Sequence, residues 1–154
     1  KNESYIPYVI ETSIGLDRLF LAILCNAYNE EKLENNEIRV VLKIPPFLAP
    51  VKVAVLPLTK KDGLPEKAQE ILSNLKLLYN CKYEEKDSIG KRYRRQDAIG
   101  TPFCITVDHQ TLNDNSITLR SRDSMEQQRV QIDDLNLIIS KKTNYIDAIK
   151  SINK

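Results

Sequence analysis

The sequence predicts an α/β fold with a mixed, mainly five-stranded sheet that is flanked by helices and preceded by a strand and a helix. Two observations lead to this prediction. Short apolar or β-branched runs alternate with segments of helical periodicity, which is typical of sheets with crossover helices. The runs near the end are separated by little more than a turn, which favours antiparallel pairing there. The sheet is therefore expected to combine parallel and antiparallel strands.

Residues 1–44 are predicted to hold a strand, a helix and a second strand. Residues 5–10 are apolar, and residues 16–27 carry apolar side chains at helical spacing. Residues 26–37 are polar and end that helix, and residues 38–44 read as the second strand. An isolated strand leaves its main-chain groups unpaired. We therefore expect residues 1–44 to be the remnant of a preceding domain in a longer protein.

Three prolines in residues 45–50 exclude a helix and stiffen a connector, so a hinge is expected there, followed by a second domain over residues 51–154. Its predicted strands are residues 51–56, 81–83, 103–107, 117–120 and 127–132. Its predicted helices are residues 65–79, residues 89–99 and a closing helix that runs through Ile138 to Ile149. Asp133 is the expected cap of that closing helix. Residues 113–116 are the expected turn of a hairpin formed by the third and fourth strands.

The composition is that of an ordinary globular chain. It has 154 residues, of which 42% are hydrophobic and 29% are charged, and a formal net charge of +2. This length allows one sizeable core, and the charge is too small to indicate nucleic-acid binding by itself. Any contact with RNA must come from local clusters of basic residues. The sequence contains neither an apolar run that would span a bilayer nor a secretory signal pattern, so a cytoplasmic location is expected.

The cysteines and the single histidine argue against a metal site. Cys25, Cys81 and Cys104 are far apart, and no Cys-x-x-Cys spacing occurs, so a zinc site of the usual kind has too few ligands. Cys104 and His109 are near enough in sequence to form a nucleophilic pair, but small buried thiols are the simpler interpretation. No metal or bound cofactor is predicted for this chain by itself.

Residues that could bind a ligand are concentrated at the junction between the first predicted strand and the first predicted helix. They lie in the run V-I-E-T-S-I-G-L-D-R over residues 9–18. Gly15 would let a ligand approach the main chain, and Arg18 offers a planar fork for phosphate in a helical turn that normally favours acidic residues. The spacing alone also fits a second interpretation. Ser13 and Asp17 would then be capping residues, and Arg18 a solvated charge.

Basic residues cluster around Tyr93 and on the later strands. They are Lys91, Arg92, Arg94, Arg95, Arg120, Arg122 and Arg129. Guanidinium groups bind phosphate or stack on bases, and a tyrosine adds a stacking surface, as an unpaired anticodon requires. The alternative is a solvated helix face that is balanced by acidic residues just upstream. Asp97 and Asp123 follow arginines closely. Each would orient the arginine that it follows or accept a hydrogen bond from a cytosine amino group. The orienting role is favoured for Asp97, and the role of Asp123 stays open.

Three stretches carry a family resemblance that covers nearly the whole chain. The run from Glu11 to Arg18 resembles the third signature motif of class II aminoacyl-tRNA synthetases, in the form E-x-S-x-G-x-x-R. That form resembles the homodimeric glycyl-tRNA synthetases more than their threonyl, prolyl or histidyl relatives. Residues 89–108 and 118–129 resemble the anticodon-binding domain of the same homodimeric enzymes. The sequence departs from the family pattern at Thr12, where proline is common, and at Ala98, where glutamate is common.

The resemblance implies the C-terminal portion of a homodimeric enzyme that joins glycine to tRNA(Gly) with ATP and Mg²⁺. This portion alone is expected to be inactive, because the rest of the catalytic sheet would precede it. Glycine would be bound by Glu11, which faces its ammonium group, with Ser13 and Gly15. ATP would be bound by Gly15, Asp17 and Arg18. The alternatives are the anticodon-binding domain of another class II synthetase and a non-catalytic RNA- or protein-binding accessory module.

The resemblance also places the anticodon on the second domain. The implied contacts are Lys91, Arg92, Arg122, Arg129 and Asp97. Lys91 and Arg92 begin the basic helix and are expected to hold the RNA backbone. Arg122 leaves a strand end, where its side chain is expected to point off the sheet and read a base.

Overall fold

The computed structural model describes residues 3–152 and consists of six α-helices and two β-sheets within that range. In chain order, the elements are α1 (Leu16–Ala27), β1 (Tyr28–Lys32), β2 (Ile38–Leu42), β3 (Val53–Pro57), α2 (Leu64–Lys76), β4 (Cys81–Tyr83), α3 (Ile89–Ala98), β5 (Phe103–Val107), α4 (His109–Asp114), β6 (Ser116–Ser121), β7 (Gln127–Gln131), α5 (Leu135–Thr143) and α6 (Tyr145–Ile152). None of these helices is long and apolar enough to cross a membrane.

The larger sheet has five strands in the order β4-β3-β5-β6-β7. β3 pairs in parallel with both β4 and β5, whereas β6 and β7 are antiparallel to their neighbours. Val53 lies opposite Phe103, and Phe103 lies opposite Ser121, which fixes the register of the central strands. The mixed five-stranded sheet flanked by helices is therefore confirmed.

Helices cover both faces of this sheet. One face packs against α2 and α5, and its core includes Val55, Ile71, Ile105 and Ile139. The opposite face packs against α3, where a smaller cluster contains Ala54, Leu56 and Cys104 with Ile89 and Tyr93 at its border. Every residue of β3 and β5 is buried, because both strands are covered on two sides. This double coverage is why their sequences are almost entirely apolar, with Thr106 as the polar exception, whose hydroxyl is bonded to that of Tyr93.

The smaller sheet is the antiparallel hairpin of β1 and β2, with Tyr28 opposite Leu42 and Lys32 opposite Ile38. Its inner face is buried against α3, and its second strand coincides with the predicted run at residues 38–44. β1 lies within residues 26–37, the polar segment expected to end the first helix, and its main-chain groups pair with β2. The prolines of residues 45–50 follow as a turn, and a hinge at this place stays a prediction.

Four local predictions are wrong. Residues 5–10 form no strand; residues 3–14 are exposed and irregular, since no strand of the described chain pairs with them. α4 lies where only a turn was expected, because Asp108 caps it through a capping box with Thr111. The closing helix is divided at Asn144, and Asp133 lies in a single 3₁₀ turn before α5 without acting as its cap.

Candidate nucleic-acid interface

The parallel strands β3, β4 and β5 end at one edge of the sheet, which we call the carboxyl edge. It is formed by the loops of residues 58–63 and 84–88 and by the chain from residue 108 onwards. The chain leaves β3 into α2 on one face and leaves β4 into α3 on the other. In open α/β sheets, ligands bind outside the carboxyl ends of the strands where successive helices take opposite faces. The carboxyl edge is therefore the expected place for a ligand.

Exposed lysines lie along this edge. They are Lys60, Lys61, Lys86 and Lys91. Lys91 is in the first turn of α3 and is exposed, so its side chain is accessible to a phosphate group. The other three were not identified from the sequence. Each closely follows a predicted parallel strand, and this position could have placed them at the carboxyl edge, where ligands bind in such sheets.

Arg92 lies at the same edge but points inward. Its side chain is 2% exposed, and its Nη1 donates to the carbonyl oxygen of Pro57 over 2.6 Å. The carbonyl oxygens of Leu58 and Glu84 accept longer bonds of 3.3 Å from the same guanidinium group. Its Nε has no partner among the described residues, and burial lowers the pKa of Arg92. The expected phosphate contact is thus corrected: Arg92 joins α3 to the end of β3.

Arg129 reaches the carboxyl edge from β7. Its Nη2 donates to Asp108 over 3.0 Å and to the carbonyl oxygen of Ser116 over 3.0 Å. Burial alone would raise the pKa of Asp108, but hydrogen bonds from Arg129 and Thr111 hold it below its usual value. The side chain of Arg129 keeps 28% exposure, so it borders the edge as an ion pair.

Asp97 lies at the other end of α3 and is completely buried. Its carboxylate accepts hydrogen bonds from Arg39 Nε over 2.9 Å and from Arg120 Nη1 over 2.8 Å. The guanidinium carbon of Arg120 lies 4.7 Å from the centre of the Tyr93 ring, which is a cation–π contact. Asp97 thus orients Arg39 and Arg120 and not the arginine shortly before it, since Arg95 pairs with Glu84 and Asp87. Its contact with the anticodon stays a prediction, against which its burial argues.

Arg122 is also buried, with 2% exposure. Its Nη1 donates to the carbonyl oxygen of Gly100 over 2.8 Å, and its Nε donates to Asp123 over 2.7 Å. Its main-chain N–H donates to Pro102, just before β5 begins. The expectation that this side chain points off the sheet is wrong, because it turns back to the loop after α3. Asp123 is the residue that orients it, at the edge opposite the lysines.

Arg95 pairs with acidic residues just before α3. Its Nη1 donates to Asp87 over 2.9 Å, and its Nε donates to Glu84. For Arg95, this agrees with the interpretation of the basic run as a solvated helix face that is balanced by acidic residues before it. Arg94 is half-exposed and lies 3.7 Å from Glu37 at the tip of the hairpin. The basic run is therefore divided into exposed, ion-paired and buried members.

The residues of the motif before α1 are all exposed. Glu11 and Ser13 precede the helix, Gly15 is its N-cap, and Asp17 and Arg18 lie in its first turn. No side chain caps this helix, so the capping interpretation of Ser13 and Asp17 is wrong. The described residues outside this motif supply no ion pair to it. Its roles in glycine and ATP binding stay predictions.

The cysteines form no reactive site within the part of the chain that the structure describes. Cys104 is buried, and burial raises its pKa to about 12. His109 lies instead 3.3 Å from Asp62, so the pair of Cys104 and His109 does not form. Across residues 3–152, no group of three His, Cys, Asp or Glu side chains is placed to hold a metal ion.

Comparison with known proteins identifies the larger domain. Residues 52–142 match the family model described as "Anticodon binding domain". The glycine–tRNA ligase of Acetivibrio thermocellus is 57% identical over 134 residues, which cover 87% of this chain and 29% of that protein. The glycine–tRNA ligase of Clostridium perfringens is 55% identical over 148 residues, which cover 94% of this chain and 31% of that protein. The chain thus spans about 30% of the length of these relatives.

Solved structures agree on the fold. The RNA binding domain of threonyl-tRNA synthetase from Cryptosporidium parvum superposes with a TM-score of 0.59 at 22% identity, over 65% of this chain and 25% of that one. The prolyl-tRNA synthetase of the same organism also gives 0.59 at 22% identity, over 68% of this chain and 23% of that one. Since the family model matches more than half of its residues, the chain belongs to the family of anticodon-binding domains.

Proposed function

We propose that this chain is the C-terminal portion of a glycine–tRNA ligase and that its five-stranded domain binds the anticodon stem-loop of tRNA(Gly). High identity with ligases of this specificity supports the choice of glycine. The observation that carries the RNA-binding role is the row of four exposed lysines at the carboxyl edge, within the residues that match the anticodon-binding family. Phosphate contacts of this kind set the affinity and orientation of a bound nucleic acid.

The burial of the arginines assigns them a different part in binding. Arg92, Arg122 and Asp97 hold the loops and helices in place, and their burial argues against direct contact with RNA. Lys91 and the partly exposed Arg129 remain as contacts from the set that the sequence implied. An ammonium group on a flexible stem acts as a point charge, so these lysines suit the backbone better than a base edge.

Fluorescence titration of the chain with the tRNA(Gly) anticodon stem-loop tests this assignment. Lys61→Ala, Lys86→Ala and Lys91→Ala should each weaken binding to cognate and anticodon-swapped stem-loops alike. Each should also reduce the slope of log K against log salt by about 1, because one phosphate contact is lost. Lys76→Ala is the matched control, since Lys76 is exposed at the opposite end of α2. Equal weakening by the control would remove the carboxyl edge from the proposal.

We also propose the activity of the whole enzyme, which acts in the cytoplasm as a homodimer and uses ATP with Mg²⁺. The carboxylate of Glu11 would bind the ammonium group of glycine with the help of Ser13, and Gly15 would allow close approach. Asp17 would line the nucleotide site, and the guanidinium group of Arg18 would hold phosphate. All five side chains or main-chain positions are exposed here, which leaves them accessible to a substrate.

Kinetics of the full-length enzyme test these roles. Glu11→Gln should raise the KM for glycine much more than the KM for ATP, because it removes the charge that faces the ammonium group. Equal effects on both substrates would indicate a general loss of structure instead. The 154-residue chain alone should show no pyrophosphate exchange above background, since the rest of the catalytic sheet is required. Exchange by this chain alone would contradict the assignment.

A further inference from the structure

A buried ion cluster joins the β1–β2 hairpin to the five-stranded domain. Its centre is the pair of Arg39 and Asp97, both of which are 0% exposed. Arg39 Nε donates to Asp97 over 2.9 Å, its Nη1 donates to Glu31, and its Nη2 donates to the carbonyl oxygen of Arg122. Each nitrogen of one guanidinium group thus binds a different part of the fold: α3, the hairpin, and the chain after β6.

The geometry requires arginine at this position. Three acceptors around one planar fork match the donors of a guanidinium group, whereas a lysine ammonium on the same stem reaches fewer of them in a fixed plane. Asp97 in turn accepts two further bonds from Arg120, of 2.8 and 3.0 Å. The cluster therefore fixes both the distance and the rotation of the hairpin relative to the sheet.

Two other contacts hold the hairpin close to the domain. Gly100 has φ +84°, and a Cβ built on it would lie 3.0 Å from the carbonyl oxygen of Leu42 in β2. Lys52 Nζ donates to the carbonyl oxygens of Pro46 and Phe47, over 3.0 and 2.8 Å, and so ties down the turn after the hairpin. The first contact places backbone directly against backbone, and the second places backbone against the half-buried amine of Lys52.

The hairpin continues directly into α1. This helix ends at Ala27, and β1 begins at Tyr28 with no intervening residue. The carbonyl oxygen of Ala27 also accepts from the main-chain N–H of Lys43, which closes the hairpin against the end of the helix. Any movement of the hairpin is therefore passed to the helix whose first turn carries Arg18.

On the other side, the cluster lies at the end of α3. This helix begins beside the carboxyl edge with Lys91 in its first turn, and Asp97 lies in its last turn. Ten helical residues span about 15 Å, so α3 connects the two places as one rigid element. Arg120 lies under Tyr93 of the same helix, which adds a second contact between α3 and β6.

We propose that Arg39 is a positioning residue of the ligase, which locks α1 to the anticodon-binding domain so that bound tRNA sets the orientation of the helix carrying Arg18. This inference rests on the proposed function. It assigns Arg39 no contact with tRNA, glycine or ATP. Its effect is transmitted by a rigid connection between two sites, which predicts that loss of Arg39 uncouples them.

The substitution Arg39→Met is a clean probe, because each carboxylate keeps a cation. Asp97 retains both bonds from Arg120, and Glu31 retains Lys43 over 2.6 Å. Lys43→Met is the matched control, since it removes a cation from the same carboxylate of Glu31 without touching the bridge to α3. Arg39→Lys keeps a charge in the cluster, and it serves as the folded variant if Arg39→Met does not express.

The full-length enzyme is assayed in three ways: glycine-dependent pyrophosphate exchange without tRNA, aminoacylation with saturating tRNA(Gly), and stem-loop binding. For Arg39→Met and Arg39→Lys we expect unchanged exchange and unchanged stem-loop binding. Aminoacylation kcat should fall roughly tenfold, within the range of couplings between distant sites. Lys43→Met should behave like the wild type in all three assays.

Two outcomes would overturn the proposal. An equal loss of exchange and aminoacylation in the Arg39 variants would indicate structural damage to the catalytic domain, and unchanged aminoacylation would indicate that no coupling passes through Arg39. Failure of the proposed function gives a different result from failure of the proposal for Arg39. If the proposed function is wrong, the wild-type enzyme shows no glycine-dependent exchange or binds no stem-loop, and the positioning role of Arg39 is then also wrong.

Discussion

Asparagine in place of Asp97 is expected to lower the free energy of unfolding by about 3–5 kcal/mol, which is the usual cost of breaking a buried ion pair. Asp97 is 0% exposed and accepts three bonds from two guanidinium groups. The asparagine amide would turn an N–H donor towards one of these groups, which are themselves donors. Arg120, at 5% exposure, would keep only the face of Tyr93 as a partner. Arg39 would keep Glu31, which places the expected loss inside this range rather than above it.

Urea unfolding of the wild type and of Asp97→Asn, followed by circular dichroism at pH 7, measures this loss. A decrease of this size is large against the 5–15 kcal/mol that is typical of folded domains, so a clear shift of the midpoint is expected. Asp87→Asn is the control, because Asp87 is exposed and its pair with Arg95 is screened by solvent. If both variants lose the same small amount, the cluster is not the buried network described above.

Replacement of the whole cluster gives an independent check. Leucine at positions 39 and 97 with methionine at position 120 removes all three charges together, so no buried ion is left without a partner. This triple variant should be more stable than Asp97→Asn, because apolar side chains of similar volume often substitute for buried ion pairs without loss. A triple variant that is less stable than the single one would show that the penalty comes from packing and not from an unpaired charge.

Three further outcomes are expected. Gly100→Ala should destabilise the chain by roughly 1–2 kcal/mol in the same urea assay, because a left-handed φ of +84° disfavours a Cβ that also meets a main-chain oxygen at 3.0 Å. The hydrogen bonds from the side chain and main chain of Ser116 lower the pKa of Asp114 to about 2, so an NMR titration should find its carboxyl ionised at pH 3. The stability from these bonds is present above the unfolded pKa and is lost as the pH falls towards 2. Iodoacetamide should label the exposed Cys25 first and Cys104 last by mass mapping, since burial raises the pKa of Cys104 to about 12.

The central strands could be predicted from the sequence because burial makes their residues almost all apolar. β3 and β5 are covered on both faces, so neither strand has a side that faces solvent and favours polar residues. The sequence of β1 shows no such apolar pattern. Its five residues, Y-N-E-E-K, are polar or aromatic and are held in the hairpin by pairing with β2 and by the buried Arg39. Those partners are distant interactions, which local propensity does not contain.

The candidate site shows a similar limit. The exposure of Lys91 agrees with the sequence, but Arg92 is one position further along and faces the opposite way. The buried face of α3 consists of Arg92, Gln96 and Asp97. Only the partly buried Ile89 and Tyr93 are apolar on this side, so an apolar stripe marks too little of the inner face of the helix to predict it. Their burial depends on acceptors from the loop after β3 and on arginines from other strands, which only the folded chain brings together.

The inward position of Arg92 also affects how RNA would reach the surface. Its guanidinium group bonds only to carbonyl oxygens among the described residues, so no carboxylate bond neutralises it. A fixed cation surrounded by protein, where the dielectric constant is low, projects its field beyond the surface further than a solvated lysine does. We therefore expect Arg92 to add to the positive potential that steers a polyanion towards the carboxyl edge, together with the exposed lysines, whose charges act on the same encounter.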